Sequence, residues 1–277
     1  GNGLCNAVSD VMIINLTNAP VVNVGPNISV CYNNPVTLLS ATSSTGSVTW
    51  VTLGTGLFNP SPNILTPIYV PSNLDLTNGS VILISNSTNN GTCGQATDTL
   101  LLTFTSSPTV SAGADDTICA NNGFYLLQGT SSTGSGTWTS SGTGIFSPNT
   151  LLGTYIPSAA DTAFGSVTLT LTTTNNGGCI PETDQMVLYI SDAPVVNAGV
   201  DISVCSANPV AQLNGLISGG SSSGIWLTSG TGTFNPNNTT LNAIYTASAG
   251  DILSGSVQFI LMSTQNGLCL SVSDTMI

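Results

Sequence analysis

The chain has 277 residues with no Lys, Arg or His and 12 acidic side chains, so its formal net charge is −12. Without cationic or imidazole groups it lacks the usual enzymatic general bases and phosphate-binding groups, and it offers no cationic patch to nucleic acid or to anionic lipid. No apolar run approaches the roughly 20 residues of a membrane-spanning helix. We therefore expect no enzyme, no cofactor, no nucleic-acid partner and no membrane insertion, whereas 40% hydrophobic residues are enough for a folded core.

A single sequence unit occurs three times along the chain. The segment that begins at Pro20 recurs at Pro108 and at Pro194. Self-similarity at a fixed period is typical of repeat proteins. Each copy carries one tryptophan in phase, and because tryptophan buries a large apolar area we expect the cores of the repeats to be centred on Trp50, Trp138 and Trp226.

The predicted elements follow one order within each repeat. The strand that contains the tryptophan leads into Gly-Thr-Gly, which predicts a turn, and a further strand follows with a phenylalanine. Later, Gly-Ser-Val opens a run that alternates apolar and polar residues, most clearly at 167–172, and this period of two predicts a half-buried strand. About seven or eight short strands per repeat, with no 3.6-residue apolar period, predict an all-β fold of β-sandwich repeats.

The two ends of the chain match each other in phase, because residues 1–13 align with residues 265–277. We interpret the chain as a window on a longer array, in which the partners of each repeat are its neighbours in the same chain. The predicted division is a tail of a preceding repeat at 1–18 and repeats at 19–106, 107–192 and 193–277. The last of these repeats is truncated in its final strand.

Seven cysteines recur regularly, which indicates disulfides and an oxidising, extracellular setting. Pairing within a repeat would join Cys31 with Cys93, Cys119 with Cys179 and Cys205 with Cys269. Pairing between repeats would join Cys31 with Cys179 and Cys119 with Cys269, and it would leave Cys5, Cys93 and Cys205 for units outside the sequence. We favour the second scheme. The two cysteines of one repeat fall at opposite ends of a sandwich, whereas a disulfide needs Cα atoms within about 7 Å.

The acidic residues also recur in phase. Asp75, Asp161 and Asp251 precede the Gly-Ser-Val strand and are weak candidates for a calcium site, since calcium prefers several oxygen ligands. The alternative is that these aspartates form turns and keep strand edges soluble. The acids are dispersed along the sequence, which favours the alternative.

Several segments of the repeat resemble PKD-like and immunoglobulin-like repeats of bacterial surface proteins. They lie at residues 112–119, 136–138, 155–161, 165–172 and 273–276. The resemblance is closer still to the repeat region of the giant SprB-type gliding-motility adhesins of Bacteroidota. It implies tandem immunoglobulin-like or PKD-like sandwiches in an elongated array, export by type IX secretion, and a structural stalk on the cell surface used in gliding and attachment.

Glycans are possible partners by the same resemblance. Four tripeptides are similar to the Asp-(Ser/Thr)-aliphatic O-glycosylation acceptor of that phylum, with candidate sites at Thr99, Thr117, Thr162 and Thr275. A different function also stays open. A small pilin-like subunit could assemble non-covalently into an extracellular filament, for example by donating a strand to its neighbour.

Overall fold

The computed structural model describes Gly3 and residues 6–277, and these residues form short β-strands joined by turns. Cys5 lies outside the described residues. None of the helices in the described part of the chain has the length and apolar character needed to cross a membrane.

The elements recur three times. The first set is β1 (Val22–Asn23), β2 (Ile28–Cys31), β3 (Thr37–Leu38), β4 (Thr42–Ser43), β5 (Val48–Thr52), β6 (Leu57–Asn59), β7 (Ile68–Val70), α1 (Asn73–Asn78), β8 (Ser80–Ser87) and β9 (Thr97–Thr105). The second set is β10 (Val110–Ser111), β11 (Asp116–Cys119), β12 (Tyr125–Leu126), β13 (Thr130–Ser131), β14 (Gly136–Ser140), β15 (Ile145–Phe146), β16 (Thr154–Ile156), α2 (Ala159–Phe164), β17 (Ser166–Thr173) and β18 (Thr183–Ser191). The third set is β19 (Pro194–Asn197), β20 (Val210–Gln212), β21 (Leu216–Gly219), β22 (Ser223–Thr228), β23 (Thr233–Asn235), β24 (Ile244–Thr246), α3 (Ala249–Ser254), β25 (Phe259–Thr264) and β26 (Ser273–Met276).

Each repeat contains two main sheets. In the first repeat one sheet has the order β2-β9-β8-β5, with β2 parallel to β9, and the other has the order β3-β7-β6, with β1 paired to β4 beside it. The second repeat has the same arrangement, as β11-β18-β17-β14, β12-β16-β15 and β10-β13. The third repeat forms β22-β25-β26, β20-β24-β23 and β19-β21, and residues 198–209 contain no counterpart of β2 or β11.

The core of each repeat lies between its two sheets. In the second repeat, Trp138 and Leu169 from the larger sheet pack in one cluster with Tyr155 from the smaller sheet. β17 alternates half-buried and buried residues along its whole length, as the period of two predicted. The all-β prediction is therefore confirmed, and the strand arrangement is that of immunoglobulin-like sandwiches.

All three tryptophans are buried at these centres. The indole nitrogens of Trp50 and Trp226 donate to the carbonyl oxygens of Ile64 and Leu241, each at 3.2 Å. The indole therefore packs its apolar face in the core while its one polar atom is paired in these two repeats.

Each repeat also contains one six-residue helix, which the sequence analysis did not predict. Ser72 and Asp75 form a capping box at the start of α1, and Gly79 ends it with φ 74°. A helix of fewer than two turns is too short to show a 3.6-residue period. Its signal is local, in the capping residues and the glycine that tolerates a positive φ.

The described chain divides into two compact units. One consists of the residues up to Ser107 together with Asn176–Ile180, and the other of Pro108–Asn175 and Pro181–Ile277. The predicted division at 192/193 lies inside the second unit, so the division into three domains stays a prediction. Residues 6–18 of the predicted tail are exposed and form no strand.

Candidate functional site at the disulfide junctions

Two kinds of turn present the cysteines. Cys31 ends β2, and its carbonyl oxygen accepts from the N–H of Asn34 at 3.0 Å. Cys179 lies in the turn between β17 and β18, where its N–H donates to the carbonyl oxygen of Asn176 at 3.0 Å. The turn depends on Gly177, which has a φ of 60° that is costly for residues with a Cβ.

The structure joins the cysteines of successive repeats. Cys31 is bonded to Cys179, and Cys119 to Cys269, each with a Cα–Cα distance of 4.9 Å. The pairs considered for bonding within a repeat are not formed. Cys93 and Cys205 are free thiols, and Cys5 falls outside the described residues.

A carbonyl oxygen lies beside both sulfurs of each disulfide. The carbonyl oxygen of Ser106 lies 3.9 Å from the Sγ of Cys31 and 3.9 Å from the Sγ of Cys179. The carbonyl oxygen of Asp192 lies 3.6 Å from the Sγ of Cys119 and 3.3 Å from the Sγ of Cys269. Both carbonyls directly follow the last strand of their repeat, so the end of that strand is part of the junction.

Asparagine side chains form a clasp beside each disulfide. Asn33 donates to the carbonyl oxygen of Ile180 and accepts from its N–H, both at 3.0 Å. Asn121 does the same with Leu270, at 3.0 and 3.1 Å. The sequence analysis missed these residues. Their signal is the spacing Cys-x-Asn after the first cysteine of repeats one and two, which becomes Cys-x-Ala at Ala207.

The three calcium candidates are buried inside separate repeats and are saturated by donors from the protein. Asp161 accepts from the N–H groups of Thr143, Gly144 and Ser158 and from the hydroxyl of Tyr155, at 2.7 to 2.9 Å. Asp251 makes the corresponding four contacts in its repeat, and Asp75 makes three of them, with Thr55, Tyr69 and Ser72. The described residues contain no group of three or more potential metal-ligating side chains. In each repeat the aspartate therefore caps the short helix and also accepts hydrogen bonds from the Gly-Thr-Gly turn, which holds the two elements together.

The same network explains the glycines of that turn. A Cβ on Gly54 would collide with Oδ1 of Asp75, and a Cβ on Gly142 would collide with Oδ1 of Asp161. A Cβ on Gly56 would collide with the hydroxyl of Tyr69. The two glycines of Gly-Thr-Gly therefore allow the backbone to approach a buried carboxylate. The sequence analysis predicted a turn here but did not identify this reason for the glycines.

The electrostatics of this network favour a charged aspartate and a neutral tyrosine. Burial opposes ionisation of Asp161, but hydrogen bonds from the N–H groups of Ser158 and Thr143 outweigh it and lower the pKa. In the third repeat the N–H of Thr231 has the largest effect in lowering the pKa of Asp251. Burial raises the pKa of Tyr69 to about 12. Backbone N–H groups that point at the carboxylate therefore stabilise its negative charge, as a Lys or Arg side chain would in other proteins.

A second set of recurring acids bonds to neighbouring strands. Asp115 accepts from the N–H of Val187 at 2.8 Å, and Asn27 occupies the same place in the first repeat, accepting from the N–H of Leu101 at 3.0 Å. An amide oxygen and a carboxylate oxygen accept the same backbone hydrogen bond at this position. The position therefore requires a hydrogen-bond acceptor and not a negative charge.

The candidate glycosylation sites differ in exposure. Thr99, Thr117 and Thr275 are exposed on β9, β11 and β26. Thr162 is half-buried in α2 and donates its hydroxyl to the carbonyl oxygen of Ala159 at 2.9 Å. The first three are therefore the accessible members of the set.

The fold and the junctions define a tandem immunoglobulin-like repeat protein. The chain is similar to the I-band fragment I67-I69 from titin, at 11% identity over 94% of this chain and 98% of that one, with a TM-score of 0.48. It is also similar to Sidekick-1 immunoglobulin domains 1-5, at 17% identity over 94% of this chain and 58% of that one, TM-score 0.36. A third is Drosophila N-cadherin EC1-4, at 13% identity over 93% and 74%, TM-score 0.33. No protein-family model and no curated protein matches the chain.

Proposed function

We propose that the chain is a structural stalk segment of a large filamentous adhesin on the cell surface, used in gliding motility and surface attachment. The observation that carries the proposal is the pair of disulfides that connect successive sequence repeats, Cys31–Cys179 and Cys119–Cys269. A stalk must transmit force, and covalent bonds between repeats restrict how far the chain can extend under load. The proposal assigns no catalytic activity.

The two disulfides close loops that overlap in sequence. Cys119 lies between Cys31 and Cys179, and Cys179 lies between Cys119 and Cys269. A pulling force therefore travels through both disulfides and through the shorter stretch between Cys119 and Cys179. The fully extended oxidised chain should reach roughly a third of the length of the reduced chain. This restriction is what a load-bearing spacer needs.

Export by type IX secretion, an extracellular location and O-glycans at Thr99, Thr117 and Thr275 belong to the same proposal. Their support is the resemblance of the sequence to gliding-motility adhesins, together with the exposure of the three threonines. The disulfides fit an oxidising compartment.

The size of the native polypeptide tests the proposal. Surface material is sheared from cells, reduced, separated on a denaturing gel and probed with an antibody against one repeat. A band of hundreds of kilodaltons supports a covalent stalk. A band near the 27.9 kDa of this chain contradicts it and favours the second candidate, a small subunit that assembles non-covalently into a filament.

A separate observation supports the second candidate, the subunit of a non-covalently assembled filament. Residues 8–16 contain a series of apolar side chains that are largely exposed, among them Val8, Val11, Met12, Ile13, Ile14 and Leu16. Exposed apolar stretches of this size are typical of interaction sites.

A further inference from the structure

The smaller sheet of the first repeat exposes an apolar face to solvent. Val36 directly precedes β3, and in the register of that strand it lies opposite Val70, which is paired with Leu57 on β6. Leu38 and Ile68 are paired in the next row. Leu38 and Leu57 are 68% and 72% exposed. Because neighbours on one face of a sheet have Cβ atoms about 5 Å apart, these five side chains form one continuous apolar surface.

The second repeat exposes the same positions. Ile156 on β16 is paired with Ile145 on β15, and Phe124 directly precedes β12 on the other side of β16. Leu126 on β12 completes the face and is 58% exposed. This repeat has another repeat on each side of it in the sequence, so the exposed face is a property of the repeat itself.

The third repeat has a polar face at the same place. Gln212, Thr233 and Thr246 occupy the positions that hold leucine, leucine and valine in the first repeat. All three side chains are exposed, and the strands around them are formed. The fold therefore does not require apolar residues at these positions, and the apolar face is a specific feature of the first two repeats.

The acidic residues lie away from these faces. Asp98, Asp116 and Asp184 are on the larger sheets, and Asp75 and Asp161 are buried in the helix caps. No acidic residue occurs in the strands of the two smaller sheets, which are β3, β6, β7, β12, β15 and β16. Two copies of net charge −12 therefore meet less repulsion through these faces than through the larger sheets.

The size of the faces indicates a weak contact. At roughly 30 Å² for each methylene-sized group, the exposed parts of the side chains in one face amount to roughly 300 Å². A face packed against an equal one buries roughly 600 Å², whereas a stable protein interface buries about 1,200 Å² or more. One pair of faces should therefore associate transiently, and two pairs reach the area of a stable interface.

We propose that the outer faces of the smaller sheets of the first and second repeats pack against the equivalent faces of a second copy of this chain. Sheets that pack face to face lie about 10 Å apart, and the side chains between them interdigitate. The association is driven by burial of the apolar side chains that each copy exposes.

A second copy is the occupant that fits these faces. The faces carry no charged side chain that would bind an anionic or a cationic partner, and few polar side chains that would hydrogen-bond to a polysaccharide. A second copy brings an uncharged apolar face of the same size in each of the same two repeats. The inference goes beyond the stalk proposal and does not rest on it.

The test measures association of the 277-residue chain by sedimentation equilibrium. Cys93 and Cys205 are first changed to Ser, which prevents cross-linking through the free thiols. We expect reversible dimers that form as the concentration rises. Association should strengthen as sodium chloride is raised from about 20 to about 300 mM, because salt screens the repulsion between the copies.

The third repeat supplies the variant that removes a face. Leu38→Gln, Leu57→Thr and Val70→Thr together give the first repeat the side chains that the third repeat has at the same positions. Because the fold already accommodates these residues, the variant should keep its structure, which circular dichroism checks. It should weaken association at least tenfold.

The second repeat allows the same change and a matched control. Leu126→Gln, Ile145→Thr and Ile156→Thr should also weaken association at least tenfold, and the two sets together should abolish it. The control combines Phe164→Thr and Leu253→Thr, which remove apolar side chains that are 82% and 90% exposed on α2 and α3, outside the faces. It should leave association unchanged.

Spin labels identify the face that is in contact. Thr66 is exposed two residues before Ile68 on the outer side of the smaller sheet, and Thr99 is exposed on β9 of the larger sheet. In the dimer the two labels at Thr66→Cys should be closer together than two labels at Thr99→Cys by about 20 Å, because the sheets of each sandwich lie about 10 Å apart.

Three results would overturn the inference. A chain that stays monomeric at every concentration does so, and it leaves the faces to a partner of different chemistry. Association that ignores the face variants comes from another part of the chain. Labels at Thr99→Cys that lie closer than those at Thr66→Cys place the larger sheets in contact. None of these results affects the stalk proposal, which depends on the size of the native polypeptide.

Discussion

Asp161 illustrates how a protein without cations keeps a carboxylate buried. Four donors surround it, three of them backbone N–H groups at fixed positions in a turn and at the start of a helix. Such donors cost no additional charge and are held by the fold. Asp251 has the same four donors and Asp75 has three of them, so a buried, hydrogen-bonded aspartate stabilises the same place in every repeat.

Replacing Asp161 by Asn should lower the free energy of unfolding by about 2–3 kcal/mol, because an amide NH₂ would face donors where the carboxylate accepted them. Denaturant unfolding of the purified chain would measure the loss. Asp115→Asn is the matched control and should change stability little, since Asn27 already occupies that position in the first repeat. Equal losses in the two variants would contradict the importance of the buried network.

The buried aspartates also predict a dependence of stability on pH. Their pKa values are lower in the folded chain than in the unfolded one, so their contribution is fully present above about pH 4 and is lost as the pH falls through the lowered folded-state pKa. Melting temperatures measured from pH 7 down to pH 2 should therefore fall. The Asp161→Asn variant should show a shallower fall than the natural sequence.

The buried tyrosines predict a loss of stability at high pH, whereas the aspartates predict one at low pH. The pKa values of Tyr69 and Tyr125 are raised to about 12 by burial, so their contribution is complete below about pH 10 and is lost as the pH rises toward 12. Absorbance of tyrosinate during an alkaline titration should show these groups ionising late. Early ionisation of all six tyrosines would contradict the burial.

At the scale of elements, the turns decide which cysteines meet. Gly177 and Gly267 adopt positive φ in equivalent turns, and each turn presents its cysteine two residues later. The cysteine at the end of β2 or β11 faces the turn of the following repeat and not that of its own. An asparagine clasp beside each disulfide holds the same two elements together.

Removing the Cys31–Cys179 disulfide by changing both residues to Ser should lower the free energy of unfolding by about 4 kcal/mol, because the bond closes a loop of 148 residues in the unfolded chain. The comparison is made in a background with Cys93→Ser and Cys205→Ser, which removes the free thiols. Denaturant unfolding with and without the change measures the difference. An unchanged midpoint would show that the disulfide contributes nothing to stability.

At the scale of the whole molecule, the charge is entirely negative. The chain contains no Lys or Arg, so trypsin has no cleavage site even after unfolding. We expect the reduced, denatured chain to remain intact with trypsin on a gel, whereas chymotrypsin cleaves it under the same conditions. Trypsin fragments from a pure sample would contradict the prediction.

The recurrence of residues was enough to predict the repeats, the strands and the buried tryptophans, because core spacing repeats in the sequence wherever the fold repeats. The helices were missed, since six residues show no period. The asparagine clasp was missed because Asn33 and Asn121 resemble ordinary turn residues until their partners, Ile180 and Leu270, are seen beside them.

The sequence by itself determined the all-β class, the absence of cationic chemistry and the period of the repeat, because these follow from composition and local spacing. Only the tertiary structure decided that Asp75, Asp161 and Asp251 bond their helices to the Gly-Thr-Gly turns, since those donors lie 17 to 20 residues away. The sequence left two disulfide schemes open while favouring one, and only the tertiary structure decided for Cys31–Cys179 and Cys119–Cys269. Those features depend on contacts between segments far apart in the chain, and no local pattern records such contacts.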